Sequence, residues 1–176
     1  PPRFNNKKKK QVSISLTQAQ ASPNWDKYEA SIEKEYGTLD SLNTGTQVDG
    51  ASVTGRILPT RYVFKIKRDG SYKCRLVVLG NLEIKRESMF SPTANDKSLR
   101  LLLALSITHG LILKGYDIFG AFCNPKLTRI VHIRLPDCRI WRLNKALYGL
   151  RDSPKLFYED VSSLLISKGY RRCDND

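Results

Sequence analysis

Between Lys114 and Pro125 the sequence reads KGYDIFGAFCNP. A single carboxylate, Asp117, stands at the tip of an apolar run, and an aromatic ring, Phe122, follows five residues later. A lone Asp where a strand ends is ordinarily a turn former or a helix cap. The other chemistry open to it is metal-assisted phosphoryl transfer. Mg²⁺ is a hard ion that takes carboxylate and phosphate oxygens as ligands. Paired ions of this kind stabilise the attacking and leaving oxygens of an in-line displacement. A carboxylate in that role needs a rigid strand end to hold it. It also needs cations near the phosphates and a ring near the sugar that can block a 2′-hydroxyl.

Cations are present upstream. In RYVFKIKRDGSYKCRLVVLG, residues 61–75 carry six basic groups against one Asp. Tyr62, Phe64 and Ile66 alternate with Arg61, Val63, Lys65 and Lys67, and Cys74, Leu76 and Val78 alternate with Lys73 and Arg75. This period of two predicts a ribbon over 61–79, turning at Asp69-Gly70, with one packed face and one cationic face. Formal net charge is +13. Residues 1–60 hold 8 basic and 6 acidic groups, and residues 61–176 hold 22 and 11, so most of the excess lies in the second part. Such a balance favours a polyanionic partner, nucleic acid being the commonest, over a merely soluble basic surface.

Other chemistries find little support. Cys74, Cys123, Cys138 and Cys173 form no C-x-x-C pair, and His109 and His132 are not spaced to complete a zinc site or a catalytic triad. Free thiols in a reducing compartment are expected. There is no apolar run long enough for a membrane span. The opening PPRFNNKKKK lacks a secretory apolar region. An intracellular protein, cytoplasmic or nuclear and not secreted, is therefore expected. The tetralysine Lys7 to Lys10 reads as a nuclear address, a loose phosphate contact or a solvated tail.

The elements that would position these residues follow from periodicity and caps. Ser22-Pro23 opens a helix bearing Trp25, Tyr28, Ile32 and Tyr36, with Gly37 as its stop. SLNTGTQVDGASVTGR reads as a loop or weak strand, and 81–95 as an irregular connection. Asn95 caps a helix reaching His109, and its LRLLLALSI stretch is apolar on most sides, which predicts burial. Residues 111–118 read as a strand, and IVHIRLPDCRIWRL as a hairpin turning at Pro136-Asp137. A last helix over 154–168 is expected to bury Leu156, Phe157, Val161, Leu164 and Leu165. The order helix, hairpin, helix, strand, hairpin, helix is an α+β pattern with mainly antiparallel pairing.

Four segments, VFKIKRDGSYKCRLVVLGN, MFSPTANDKSLRLLLAL, GYDIFGAFCNPKL and RLNKALYGLRDSPKLFYEDV, resemble in order and spacing the reverse transcriptase of copia-type LTR retrotransposons. LNKALYGLRDSP carries the most specific likeness, and SPNWDKYEASIEKEYGTL resembles the segment preceding that domain's fingers. The resemblance implies a polymerase fingers and palm fragment with antiparallel hairpins and packing helices. It implies a basic disordered tail over 1–13, a helix and linker over 14–60, a fingers-like region over 61–110 and a partial palm over 111–176. On it, Asp117 corresponds to the first Mg²⁺-binding catalytic aspartate and Phe122 to the ring that discriminates deoxyribose from ribose. Arg75, with Lys67 or Arg68, corresponds to the cations on the incoming deoxynucleoside triphosphate. Gly149 and Arg151 fall beside the template and nucleotide pocket. The implied partners are an RNA or DNA template-primer and the nucleotide, with Mg²⁺ as cofactor and no membrane. Asp152 stands where the family usually has Gln, and Phe119 and Cys123 also depart from its pattern. The family's Tyr-x-Asp-Asp hairpin is not found before Asp176. The expectation is a truncated RNA-directed DNA polymerase domain with an incomplete metal site, inactive alone. The alternative is a non-catalytic nucleic-acid-binding or structural remnant, such as a component of a ribonucleoprotein.

Overall fold

The computed structural model describes residues 14–83, 91–93 and 95–172. The tail expected over 1–13, most of the connection after 83, and Cys173, Asp174 and Asp176 lie outside the described residues. The fold is α+β. Among the described residues there are four helices, α1 (Leu16–Gln20), α2 (Trp25–Ser41), α3 (Asp96–Thr108) and α4 (Ser153–Ser167). Five strands form one sheet: β1 (Gly45–Val48), β2 (Ile57–Ile66), β3 (Tyr72–Val78), β4 (His132–Arg134) and β5 (Ile140–Leu143). Their spatial order is β1-β5-β4-β2-β3. Three pairings are antiparallel and β2 runs parallel to β4.

The length of β2 organises this sheet. Its first residues, Ile57 to Pro59, pair with His132 to Arg134, and its later ones, Thr60 to Ile66, pair with Val78 to Tyr72. One strand thus joins the 57–78 hairpin to the 132–143 hairpin, and the two share a core. Leu58, Leu76, Val78, Ile133, Trp141, Leu143 and Leu147 are buried together, with Leu39 of α2 laid over them. Tyr36 and Tyr62 join their hydroxyls at 2.9 Å at the edge of this core. A second, smaller cluster of Ala19, Tyr28, Phe64 and Cys74 pins α1 and the start of α2 to the far end of the ribbon.

The hairpins turn where the sequence indicates. Gly70 takes φ +81°, and the Asp69 carboxylate accepts from the Ser71 amide at 2.9 Å and hydroxyl at 2.7 Å. The Pro136-Asp137 turn places Cys138 at φ +69°, with Asp137 accepting from the Arg139 amide and guanidinium. α2, by contrast, runs through Gly37 and stops at Ser41, followed by Asn43 at φ +52°. Burial of Leu39 beyond Gly37 outweighs a helix cost of about 1 kcal/mol for glycine.

Three expectations are corrected. Residues 111–118 form no strand: no ladder partner lies beside them among the described residues, and residues 111–119 are exposed. α3 is capped by Asn95 as expected, its side chain accepting from the Lys97 amide at 2.9 Å. Yet of its residues only Ser106 is buried, and Ile107 is 83% exposed. An apolar composition states a preference for burial, and no described element packs extensively on this helix. α4 is split in the same way. Leu156, Phe157 and Val161 are half-buried, while Leu164 and Leu165 are exposed. No described helix is long and apolar enough to cross a membrane.

Leu76→Ala empties a position with no solvent exposure and should cost about 2–5 kcal/mol. Leu164→Ala, at a side chain 58% exposed, should stay within about 0.5 kcal/mol of wild type. Urea unfolding of the two variants gives the comparison, and equal losses would contradict this placement of the core.

Candidate nucleotide site

A cavity of about 320 Å³ opens between α2, β3 and the 117–122 segment. Lys67, Lys73, Arg75, Asp117, Phe122 and Tyr148 line it, and α2 adds Lys34 and Glu35. Each side chain arrives for a local reason. Lys73 and Arg75 are two residues apart on β3 and so share one face. Lys67 sits where the ribbon begins its turn, its amide donating to Ser71 O at 2.8 Å. Gly120 takes φ +60°, and a Cβ there would meet Leu42 Cδ1 at 2.6 Å. This glycine turn, closed by Asn124 Nδ2 donating to Phe119 O at 2.8 Å, delivers both Asp117 and Phe122 to the cavity.

The rings are stacked in sequence. The Arg75 guanidinium lies 5.0 Å above the Tyr148 ring centroid. The Phe122 ring meets Tyr148 edge-on at 6.0 Å and Phe157 at 5.6 Å. A half-buried ring braced by two others is held in place where it lines the cavity.

The electrostatics favour an anion. Burial lowers the pKa of Lys73, and repulsion from Arg75 and Lys67 adds to it, against the pull of Glu35 and Asp117. Burial raises Glu35 above its ordinary range, opposed by a hydrogen bond from the Leu76 amide at 3.1 Å and by the charges of Arg75 and Lys73. Burial, with the Glu35 charge behind it, pushes both the Cys74 and the Cys123 thiols up to about 12. Both stay protonated at neutral pH, so neither is a nucleophile.

Of the residues singled out in the sequence, Lys67, Arg75, Asp117 and Phe122 meet in this cavity, and Arg68, Gly149 and Arg151 do not line it. Arg68 is exposed beside the Asp69-Gly70 turn. Gly149 lies at φ +91°, where a Cβ would stand 2.1 Å from Val78 O. The Arg151 guanidinium donates to Gly80 O at 2.7 Å and Asn81 O at 3.3 Å. Asp152 accepts from Arg129 Nε at 2.8 Å, and Arg129 also pairs with buried Glu83. Glu35, Lys73 and Tyr148 were not singled out. Lys73 was legible from its place two residues before Arg75, whereas Glu35 reaches the cavity only through tertiary packing. No group of three His, Cys, Asp or Glu side chains among the described residues could hold a metal ion. Asp117 offers one carboxylate of the kind Mg²⁺ takes, which is less than a complete donor set.

A family model described as reverse transcriptase (RNA-dependent DNA polymerase) matches residues 46–176. The chain belongs to the reverse transcriptase family. It is 28% identical to a retrovirus-related Pol polyprotein from transposon TNT 1-94 of Nicotiana tabacum, over 92% of this chain and 13% of that protein. It is also 28% identical to the transposon Ty1-DR5 Gag-Pol polyprotein of Saccharomyces cerevisiae, over 81% of this chain and 9% of that protein. These relatives agree with a copia-type reverse transcriptase domain, of which the chain spans a small part of the polyprotein length. No solved structure matches. The family match begins at 46, so Lys34 and Glu35 line the cavity of this reverse transcriptase segment from outside the matched region.

Glu35→Gln removes a desolvated charge and keeps an acceptor for the Leu76 amide. A carboxyl raised on folding contributes stability that is full below its ordinary value of 4.5 and is lost as pH rises through the elevated value. Urea midpoints measured across pH 4 to 8 should therefore fall for wild type relative to Glu35→Gln with rising pH. Parallel curves would show that the carboxylate is not desolvated.

Proposed function

We propose that this segment forms the incoming-nucleotide side of the active site of an RNA-directed DNA polymerase, spanning fingers and the first part of the palm. The observation that carries the reading is the meeting of Lys67, Lys73, Arg75, Asp117 and Phe122 around one cavity. Lys67, Lys73 and Arg75 neutralise the triphosphate of a deoxynucleotide. Phe122, braced by Tyr148 and Phe157, holds its ring edge against the sugar and excludes a 2′-hydroxyl. Asp117 presents a carboxylate oxygen at the exposed rim, as one ligand for Mg²⁺ bound with the nucleotide's phosphates. That ion, when bound, supplies charge neutralisation at the reacting oxygens. A single carboxylate does not complete its site, so the 176-residue chain is expected to add no nucleotide by itself. The lack of a three-ligand group among the described residues also suits a second reading, a non-catalytic nucleic-acid-binding remnant.

Two measurements test the proposal. Arg75→Ala should weaken binding of a Mg²⁺–deoxynucleotide by about tenfold, as loss of one charge-assisted contact implies. Phe122→Ala should erase the preference over the matching ribonucleotide. A wild type without that preference would leave the second reading in place. Mg²⁺-dependent incorporation on a primed RNA template by this chain, abolished by Asp117→Asn, would overturn the expectation of an incomplete site.

A further inference from the structure

An anion site with a carboxylate on its floor carries a built-in opposition. Lys34, Lys67, Lys73 and Arg75 bring cations to the nucleotide cavity, and Glu35 and Asp117 bring carboxylates. Asp117 stands at the exposed rim, whereas Glu35 is half-buried. Glu35 lies four residues before Leu39, on the side of α2 that Leu39 buries against the sheet. Its Oε1 accepts from the Leu76 amide at 3.1 Å, on the open side of the edge strand β3. That hydrogen bond does not require charge, since a glutamine oxygen in the same place accepts from the same amide. The negative charge therefore has a separate effect, and it falls on the cations of β3.

Among the described residues Glu35 closes no ion pair with Lys73 or Arg75. The Leu76 amide holds the carboxylate back, and both cations stay exposed and free to reach a ligand. Burial disfavours the Glu35 charge, while Arg75 and Lys73 support it across the cavity wall. A phosphate group in the cavity neutralises those two supports and adds a like charge, and both changes favour the neutral carboxyl. The other groups around Glu35 do not stand in for it. Burial raises the Cys74 and Cys123 thiols and the Tyr148 hydroxyl, with the Glu35 charge adding to each, so they stay protonated between pH 5 and 7.5. Lys34 stands beside Glu35 on α2, Lys67 at the ribbon turn, and Asp117 faces the cavity from the opposite side.

We propose that Glu35 is a positioning residue of the nucleotide site: it is the resident counter-anion of Lys73 and Arg75 in the empty cavity, and it yields them to the entering phosphates by taking up one proton from solvent. The proton converts the carboxylate to a carboxyl whose carbonyl oxygen still accepts from the Leu76 amide, and no other bond forms or breaks. The ligand's identity as a nucleotide rests on the functional reading above, whereas the part given to Glu35 needs only a phosphate. Affinity then depends on pH in one direction. When Glu35 is already neutral, phosphate meets no opposing charge. As pH rises and the carboxylate forms, binding weakens, because the proton must be recovered. α2 thus sets the affinity of the cavity from outside the family-matched residues.

Calorimetric titration of the 176-residue chain with a Mg²⁺–deoxynucleotide, and separately with inorganic pyrophosphate, tests this between pH 5 and 7.5. Two buffers of different ionisation heat report the protons taken up on binding. Ionisation of the ligand is common to all variants and cancels in their comparison. At pH 7.5 wild type should bind about fivefold more weakly than Glu35→Gln, and the difference should close towards pH 5. Wild type should also take up more protons than Glu35→Gln. Glu35→Asp keeps the charge but shortens the reach to the Leu76 amide, and it should retain a pH-dependent affinity. A role confined to the β3 edge gives the reverse pattern, with Glu35→Gln matching wild type at every pH and Glu35→Asp impaired at every pH. That pattern, or equal proton uptake in wild type and Glu35→Gln, overturns the proposal. Pyrophosphate binding with the expected pH pattern but no nucleotide binding would sink the nucleotide reading and leave Glu35 its part. Nucleotide binding with a wild-type to Glu35→Gln ratio that is flat in pH would sink the proposal alone, and binding of neither anion would sink both.

Discussion

The site depends on a backbone contact. The Val78 amide donates to Tyr148 O at 2.8 Å at the end of β3. Beside it, a Cβ on Gly149 would stand 2.1 Å from Val78 O, and one on Gly80 would stand 2.0 Å from Gly149 O. Only two glycines allow chains to meet this closely. The approach sets Tyr148 beneath Arg75, and Tyr148 in turn braces Phe122. Side chains secure the same junction: Arg151 on the Gly80 and Asn81 carbonyls, Ser153 on Leu147 O at 2.7 Å, and Arg129 between Glu83 and Asp152. LNKALYGLRDSP is therefore a docking strap whose effect on the cavity passes through one ring. This explains why Asp152 is compatible with the fold. A carboxylate at that place gives the partly buried Arg129 a second partner beside Glu83.

Around that junction, electrostatic conflict is concentrated. Lys67, Lys73 and Arg75 repel one another, and Glu35 and Asp117 compensate from opposite sides. Glu35 has a second task. β3 is an edge strand, and the Leu76 amide finds its acceptor in the Glu35 carboxylate. One side chain thus closes a sheet edge and supplies the counter-charge at the cavity floor, which makes α2 part of the site as well as part of the scaffold.

What the sequence made legible was local. The Asp69-Gly70 and Pro136-Asp137 turns and the Asn95 cap are each decided by a few neighbouring residues, and the structure keeps them. The alternation over 61–78 identified the cationic strand face because a period of two leaves no choice of side. It could not show that β2 extends back to Ile57 and runs parallel to β4, since that pairing joins Ile57 to Pro59 with His132 to Arg134, far apart in the sequence. Glu35 was hidden for the same reason. Gly149 and Arg151 were visible as a motif, but whether a motif touches ligand or backbone is settled only by the elements packed against it.

The 111–118 segment shows the limit of pattern from the other side. Leu111, Ile112 and Leu113 followed by Tyr116 and Ile118 have strand-like composition, yet β-propensity expresses fit to a packed, pleated surface and not a backbone preference. Without a neighbouring strand among the described residues, the segment stays irregular and exposed. Asp117 therefore owes its place to the residues on its C-terminal side. Gly120 is fixed by Leu42, and Cys123 and Pro125 are buried. Pro125 O accepts from the Ala146 amide at 2.8 Å, next to the strap. The segment that carries the carboxylate is thus tied at its C-terminal end to the strap that holds Tyr148. Two neighbouring stretches of the strap thus hold the ring under Arg75 and the segment that carries the acid.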